Sequence, residues 1–392
     1  AYFCTSKKTF MQLQLSEEQI MIQKAAKDFA VNECLPGVID RDEHQRFPKE
    51  QIEQLADLGF MGMMVDTNYG GSGMDTVSYV LAMEEISKID ASVSVCMSVN
   101  NSLVCYGLQS YASEEQKQQY LTPLAQGKKD GELYIGAFLL SEPEAGSDAT
   151  SQQTTAEDMG DYYLLNGTKN WITNGSSACV YLVIAQTDVA KKSKGINCLI
   201  VEKNWPGVTV AAKENKLGIR GSDTHTIMFN DVKVPKENRI GADGFGFTFA
   251  MKTLAGGRIG IASQALGIAS GAYELALKYS KQRKAFGTEI CNHQAIQFKL
   301  ADMATKIEAA RLLCLKAAWE KDNGIDYTLS SSMAKVFASE TAMWVTVEAV
   351  QIHGGYGFVK EYHVERLMRD AKITQIYEGT SEVQRIVIGR SI

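Results

Sequence analysis

After Pro235 the sequence contains no further proline, yet it runs on to Ile392 through apolar residues spaced at helical period over Phe247 to Gln282, His293 to Asp322 and Leu329 to Ile352. Proline inside a helix removes a backbone donor and collides with the preceding turn. A long proline-free stretch with a 3.6-residue apolar repeat therefore predicts long helices packed into a bundle.

The chain upstream divides in two. Ile22, Ala25, Ala26, Phe29 and Ala30 recur at helical spacing between Ser16 and Cys34, and Ser16 with Gln19 has the spacing of a capping box. Further helical patterns cover Pro48 to Leu58 and Ser78 to Gln109. From about Tyr134 the character changes to strands: Tyr162 to Leu165, an Asn166-Gly167 pair that reads as a hairpin turn, then Lys169 to Thr173. Val180 to Ala185, Ile196 to Val201, Val208 to Ala211 and Thr226 to Val234 continue the strand pattern. The expected fold class is α+β multidomain: an N-terminal helical domain over 11–130, a β-barrel or sandwich over 131–237 and a four-helix bundle over 238–392. Ala1 to Phe10 differ in character from the rest of the chain, and Met11 is expected to be the natural start.

Composition removes several function classes. A net charge of −6, with no basic block beyond Lys191-Lys192-Ser193-Lys194, leaves no footprint for nucleic acid. No apolar run approaches the roughly 20 residues that cross a bilayer, so no membrane partner is expected. The eight cysteines are scattered without a C-x-x-C pair, which suits reduced thiols, as in a bacterial cytoplasm or alternatively a mitochondrial matrix. His44, His225, His293, His353 and His363 lack metal-ligand spacing and no G-x-S-x-G accompanies them, so neither a metal site nor a hydrolase is expected.

Five segments carry a stronger signal: Leu139-Leu140-Ser141-Glu142-Pro143-Glu144-Ala145-Gly146-Ser147-Asp148, Asn170-Trp171-Ile172-Thr173-Asn174-Gly175, Gln351-Ile352-His353-Gly354-Gly355-Tyr356-Gly357, Arg369-Asp370-Ala371-Lys372-Ile373 and Ile376-Tyr377-Glu378-Gly379-Thr380. In this order and spacing they resemble the acyl-CoA dehydrogenases over nearly the whole chain. The resemblance implies FAD as cofactor, although no complete G-x-G-x-x-G is present and a Rossmann site is not supported. It places Phe138, Leu140, Ser141, Trp171 and Thr173 around the isoalloxazine, with Thr380 and Glu382 among the cofactor contacts. Alone, Trp171 reads as a core tryptophan in a strand. The resemblance also sends Arg283, Phe286, Gln294, Gln351 and Gly355 to the FAD of a neighbouring subunit, so that oligomerisation completes the cofactor site. A guanidinium in Lys281-Gln282-Arg283-Lys284 suits a pyrophosphate, although such a run is ordinarily a solvated face.

Glu378 is the expected base. Removing a proton α to a thioester requires a carboxylate with a pKa near working pH, which burial against apolar groups provides. The family's other placement of the base, just before an Arg resembling Arg258, holds Ala255, Gly256 and Gly257 here, none of which accepts a proton. A lone Glu in a glycine-containing loop is ordinarily a surface residue, and it is the motif that reverses this reading. By the same resemblance Ser147 and Arg258 contact CoA, Tyr377 and Gly379 lie beside the thioester, and the backbone N–H of Glu378 polarises its carbonyl. Ala255 departs from the acidic residue of many short-chain relatives.

Met97 to Leu103 and Arg258 to Gly267 resemble the short-chain branch, and Val99 with Asn100 is expected at the cavity floor, where bulk shortens a pocket. The implied activity is oxidation of butyryl-CoA or a similar short acyl-CoA to the trans-2-enoyl form, with the β-hydride passing to flavin N5. An electron-transferring flavoprotein is the implied acceptor and a homo-oligomer, tetrameric by analogy, the implied assembly. A branched-chain dehydrogenase, an acyl-CoA oxidase and a non-catalytic scaffold relative are the rival readings.

Overall fold

A computed structural model describes residues 14–392; the expectations placed on Ala1 to Phe10 and on Met11 lie outside that range. Helix α1 (Glu17–Phe29) begins where the spacing predicts. The backbone N–H of Gln19 donates to Ser16 Oγ at 3.1 Å, and the Ser16 N–H donates to Gln19 Oε1 at 3.0 Å, which closes the capping box. After a π-helical turn (Ala30–Cys34) and a short helix that carries Arg41 (Val38–Glu43) come α2 (Lys49–Asp57), α3 (Thr76–Ser87) and α4 (Ala91–Ser98).

The single helical stretch expected from Ser78 to Gln109 is in fact broken at Asp90. Asp90 Oδ1 accepts the N–H groups of Ser92 and Val93, at 2.9 and 3.3 Å, and so starts a new helix. Its other oxygen pairs with Arg41 at 3.0 Å. Periodicity cannot reveal such a break, because both helices are buried almost all round and neither has a separate polar face. Beyond α4 the chain widens into a π-helical segment, Val99–Cys105.

The middle of the chain forms one eight-stranded sheet from β1 (Gly136–Leu139), β2 (Thr155–Asp158), β3 (Tyr162–Thr173), β4 (Val180–Gln186), β5 (Ile196–Glu202), β6 (Val208–Lys213), β7 (Thr224–Pro235) and β8 (Arg239–Ile240). Its order is β8-β5-β4-β2-β3-β7-β6, with β1 parallel to the start of β4. Strand β4 is buried along its whole length. Tyr181, Val183 and Ala185 join Leu165, Leu199 and Phe229 in a core inside the sheet, while Val180, Leu182 and Ile184 pack with Phe249 and the helices. A strand covered on both faces reads as a continuous apolar run rather than an alternation.

Asn166-Gly167 does not turn a hairpin; β3 passes straight through it. Gly167 has φ +144 at a shift of register, and a Cβ there would lie 2.7 Å from Thr154 Cα. The Asn166 side chain bridges instead to β7, donating to Asp231 Oδ1 at 3.0 Å and accepting the Asp231 N–H at 2.8 Å. This Asn-Gly pair marks a β-bulge, in which glycine admits a close backbone approach.

The C-terminal helices match their predicted spans to within about two residues at each end: α5 (Gly246–Ser280), α6 (Gln294–Asp322) and α7 (Thr328–His353), followed by α8 (His363–Ile373) and α9 (Ser381–Ser391). Helix α5 is central, contacting α3, α4, α6, α7 and α8. The Asp90–Arg41 pair ties the N-terminal helices together at positions where both side chains are 4% exposed. Asp90→Ala would strand a buried guanidinium and remove a helix cap. A loss of about 3–5 kcal/mol in urea unfolding is expected, and an unchanged midpoint would show that the pair contributes nothing.

Candidate active site

The helical regions and the sheet enclose a cleft of about 950 Å³. Phe138, Leu140, Ser141, Ser147, Trp171, Thr173, Arg258, Tyr377, Glu378, Gly379 and Thr380 all line it, although they come from β1 and the loop after it, β3, α5 and the α8–α9 connection.

On the sheet side Trp171 stands at φ +57, inside a second register shift of β3 between Lys169 and Ile172. A tryptophan serving the core would be turned inward. Here the irregular strand leaves 55% of it exposed, as an aromatic face on the cleft. The loop carrying Ser141 and Ser147 is anchored by Lys169, whose fully buried ammonium donates to Leu140 O at 3.0 Å, Glu142 Oε1 at 2.7 Å and Gln152 Oε1 at 3.1 Å. Glu142 in turn accepts the N–H groups of Gln153 and Thr154, at 2.6 and 3.1 Å. An aromatic wall beside the Ser141 and Thr173 hydroxyls fits a flat heteroaromatic cofactor with a polar edge.

Glu378 lines the same cleft. It lies at φ +52 with Gly379 at φ +91, a turn that terminates at Thr380, the N-cap of α9. The fully buried Gln384 side chain donates from Nε2 to the carbonyls of Glu378 and Gly379, at 3.1 and 3.0 Å. Lys335 on α7 donates to the Gly379 carbonyl at 2.6 Å. Glu378 Oε2 is shut off from solvent and accepts no hydrogen bond among the described residues. Burial pushes the carboxyl up to about 7, against the opposing pull of Lys335 and Arg258. A Cβ on Gly257 would overlap Glu378 Oε2 and lie 2.7 Å from Leu103 Cδ2, so glycine there makes room for the carboxylate.

Val95, Val99 and Leu103 close one part of the cleft. Asn100, expected beside Val99, does not line it. Its amide is taken up by the backbone, donating to Met61 O and Leu124 O at 2.8 and 2.9 Å and accepting Gly136 N–H at 2.9 Å. Ala255 is buried and is not among the lining residues either.

Six further expected residues lie off the cleft. Arg283 and Gly355 border a separate hollow of about 550 Å³ with Tyr279, His353 and Tyr356. Phe286 is 97% exposed, and Gln294, Gln351 and Glu382 are exposed as well. Sequence reasoning missed Lys169, Lys335, Gln384 and Gly257 as parts of the site. The alternation Tyr163, Leu165, Lys169 did place one lysine on the buried face of a strand, and Lys335 falls among Ser331, Ser332 and Ser339 on the buried face of α7.

Acyl-CoA dehydrogenase family models match the chain in order: the N-terminal domain over 16–128, the middle domain over 137–232 and the C-terminal domain over 244–392. The short-chain specific acyl-CoA dehydrogenase of Clostridium acetobutylicum is 47% identical over 97% of this chain and 100% of its own length. The butyryl-CoA dehydrogenase structure from Megasphaera elsdenii superposes with a TM-score of 0.95 at 48% identity, covering 97% of this chain and 99% of that one. A chain solved in work on the electron-transferring flavoprotein of Acidaminococcus fermentans and flavin-based electron bifurcation gives 0.95 at 49%, with the same coverage. A cleft built from all three regions, lined by a carboxylate unpartnered at Oε2 and by Trp171, is thus accompanied by similarity along nearly the full described chain, and this protein belongs to the acyl-CoA dehydrogenase family.

Proposed function

We propose that this chain oxidises short acyl-CoA thioesters of the butyryl class to trans-2-enoyl-CoA, with FAD as cofactor and Glu378 as the base. The observation that carries this reading is the Glu378 carboxylate: half-buried in the lining of a largely apolar cleft, shut off and unpartnered at Oε2, and raised to about 7. Such a group is desolvated enough to take a proton from carbon yet ionised near neutrality. Phe138, Leu140, Ser141, Trp171, Thr173 and Thr380 would hold the flavin, which when bound supplies the acceptor for the β-hydride.

The remaining roles follow from position. Ser147 and Arg258 would bind the CoA portion, Tyr377 and Gly379 would flank the thioester, and the Glu378 N–H would hold its carbonyl. Val95, Val99 and Leu103 line the cleft, and branched apolar side chains there support a short acyl group, since bulk at a pocket wall shortens it. Arg283, Phe286, Gln294, Gln351 and Gly355 are exposed and do not line this chain's own cleft, which supports their serving a second copy in a homo-oligomer, a tetramer by analogy. An electron-transferring flavoprotein is the proposed acceptor of electrons. No helix among the described residues is long and apolar enough to cross a membrane, and a bacterial cytoplasm is the proposed compartment.

Anaerobic addition of butyryl-CoA should bleach the flavin absorbance of the wild type. Glu378→Gln should slow the bleaching by at least about 10²–10⁴-fold, the range of general-base catalysis, while flavin remains bound. Bleaching only by longer or branched thioesters would overturn the chain length, and rapid bleaching by the variant would overturn the base. Because the base must be ionised, the wild-type rate should rise with pH through about 7 and fall tenfold per unit below it; a flat profile from pH 5 to 8 would contradict the assignment. Gly257→Ala should displace the carboxylate and lower kcat by roughly tenfold or more, a barrier change of about 1.4 kcal/mol, without loss of flavin. Wild-type kcat in that variant would show that the space is not needed.

A further inference from the structure

Lys335 is unusual for a buried cation. Its side chain projects from α7 into the protein interior with 0% exposure, and among the described residues its one hydrogen bond goes to the neutral carbonyl of Gly379. That carbonyl already accepts from Gln384 Nε2 at 3.0 Å. Satisfying the oxygen therefore does not require an ammonium, and burying one costs several kcal/mol unless a negative charge lies close by. The adjacent residue provides that charge: the principal attraction acting on Lys335 is the Glu378 carboxylate, and Lys335 in turn is the largest influence opposing the effect of burial on Glu378.

The other groups around the pair do not substitute for it. Arg258 on α5 carries a second positive charge toward Glu378, with Nη1 bonded to Ser332 Oγ at 3.2 Å. Tyr79 on α3 is pushed up out of the titrating range by burial and donates to Ser98 Oγ at 2.9 Å. Burial likewise keeps Tyr377 neutral, with its hydroxyl bonded to Gln264. Glu382 on α9 also attracts Lys335, but it lies exposed at the surface. The turn itself needs restraint, since a non-glycine residue at positive φ costs of order 1–3 kcal/mol.

We propose that Lys335 is a positioning residue for proton abstraction: its ammonium pins the Gly379 carbonyl from α7, holding the Glu378–Gly379 turn in place, while its charge favours the ionised carboxylate. The assignment rests on the reading of Glu378 as the base. It divides the clamp into two functions, with Gln384 supplying geometry alone and Lys335 supplying geometry and charge.

The test is the pH profile of butyryl-CoA oxidation with an artificial electron acceptor, measured on flavin-loaded wild type, Lys335→Met, Lys335→Arg, Gln384→Leu and Glu378→Gln. Removing a positive charge raises the pKa of a neighbouring carboxyl, so the acid limb of Lys335→Met should move to higher pH by about one unit. Lys335→Arg should keep the limb near its wild-type position, and Gln384→Leu should lower kcat at every pH without moving it. A Lys335→Met limb that coincides with wild type, or a Lys335→Arg limb displaced as far as the Met variant's, overturns the proposal. If Lys335→Met does not retain flavin, Lys335→Gln, which can still donate a hydrogen bond but carries no charge, undergoes the same measurement with the same criteria. A Glu378→Gln enzyme as active as wild type would instead overturn the base, whereas an inactive one beside an unmoved Lys335→Met limb removes only the role of Lys335.

Discussion

The site depends on a carboxylate that is half-buried, with one oxygen shut off from water, without being neutralised by a direct partner. Glu378 Oε2 accepts no hydrogen bond among the described residues, and the cations that oppose its burial act through space. A direct salt bridge would hold the group ionised but far too weakly basic, and burial without nearby charge would keep it protonated at neutral pH. Lys335 and Arg258 set a balance between those limits. They reach it from separate helices, α7 and α5, so the bundle must be packed before the balance exists.

The rest of the architecture can be understood as support for two walls of the cleft, one carrying this carboxylate and the other carrying Trp171. On one side, Gln384, Lys335 and the Thr380 cap stabilise a turn with two consecutive residues at positive φ. On the other, the buried Lys169–Glu142 pair fastens the loop after β1 to β3, and the bulged end of β3 turns Trp171 outward. Each wall contains a non-glycine residue in the left-handed region, Glu378 and Trp171. Strain of that kind persists only where surrounding structure over-determines it, which is the condition for a site held in advance of its ligand.

The N-terminal helices contribute by filling space. Val95 and Val99 reach the cleft from α4 and the π-helical segment, while Asn100 and Asn101 bind backbone groups of Phe60, Met61, Met63 and Leu124. The same segment therefore shapes the cavity with its apolar side chains and secures the surrounding loops with its amides. Buried asparagines adjacent in sequence to a cavity residue are easily taken for lining residues, because sequence does not show which way each side of a wide helical turn faces.

Local pattern determined the long elements and the motif residues. Helices α5, α6 and α7 follow from an uninterrupted apolar period without proline, β4 and β5 from short apolar runs, and the N-terminus of α1 from Ser16 and Gln19, because each depends on neighbours along the chain. Glu378, Trp171 and Arg258 were legible through the segments in which they stand. Tertiary structure alone decided the rest: that Asn166-Gly167 bulges rather than turns, that Asp90 divides a helical stretch, that Gly257 vacates space for a carboxylate, and that Lys335 and Gln384 meet at one carbonyl. These are contacts between groups remote in sequence, and a lysine's cost or use when buried is set by the charge it meets across the fold rather than by its neighbours along the chain.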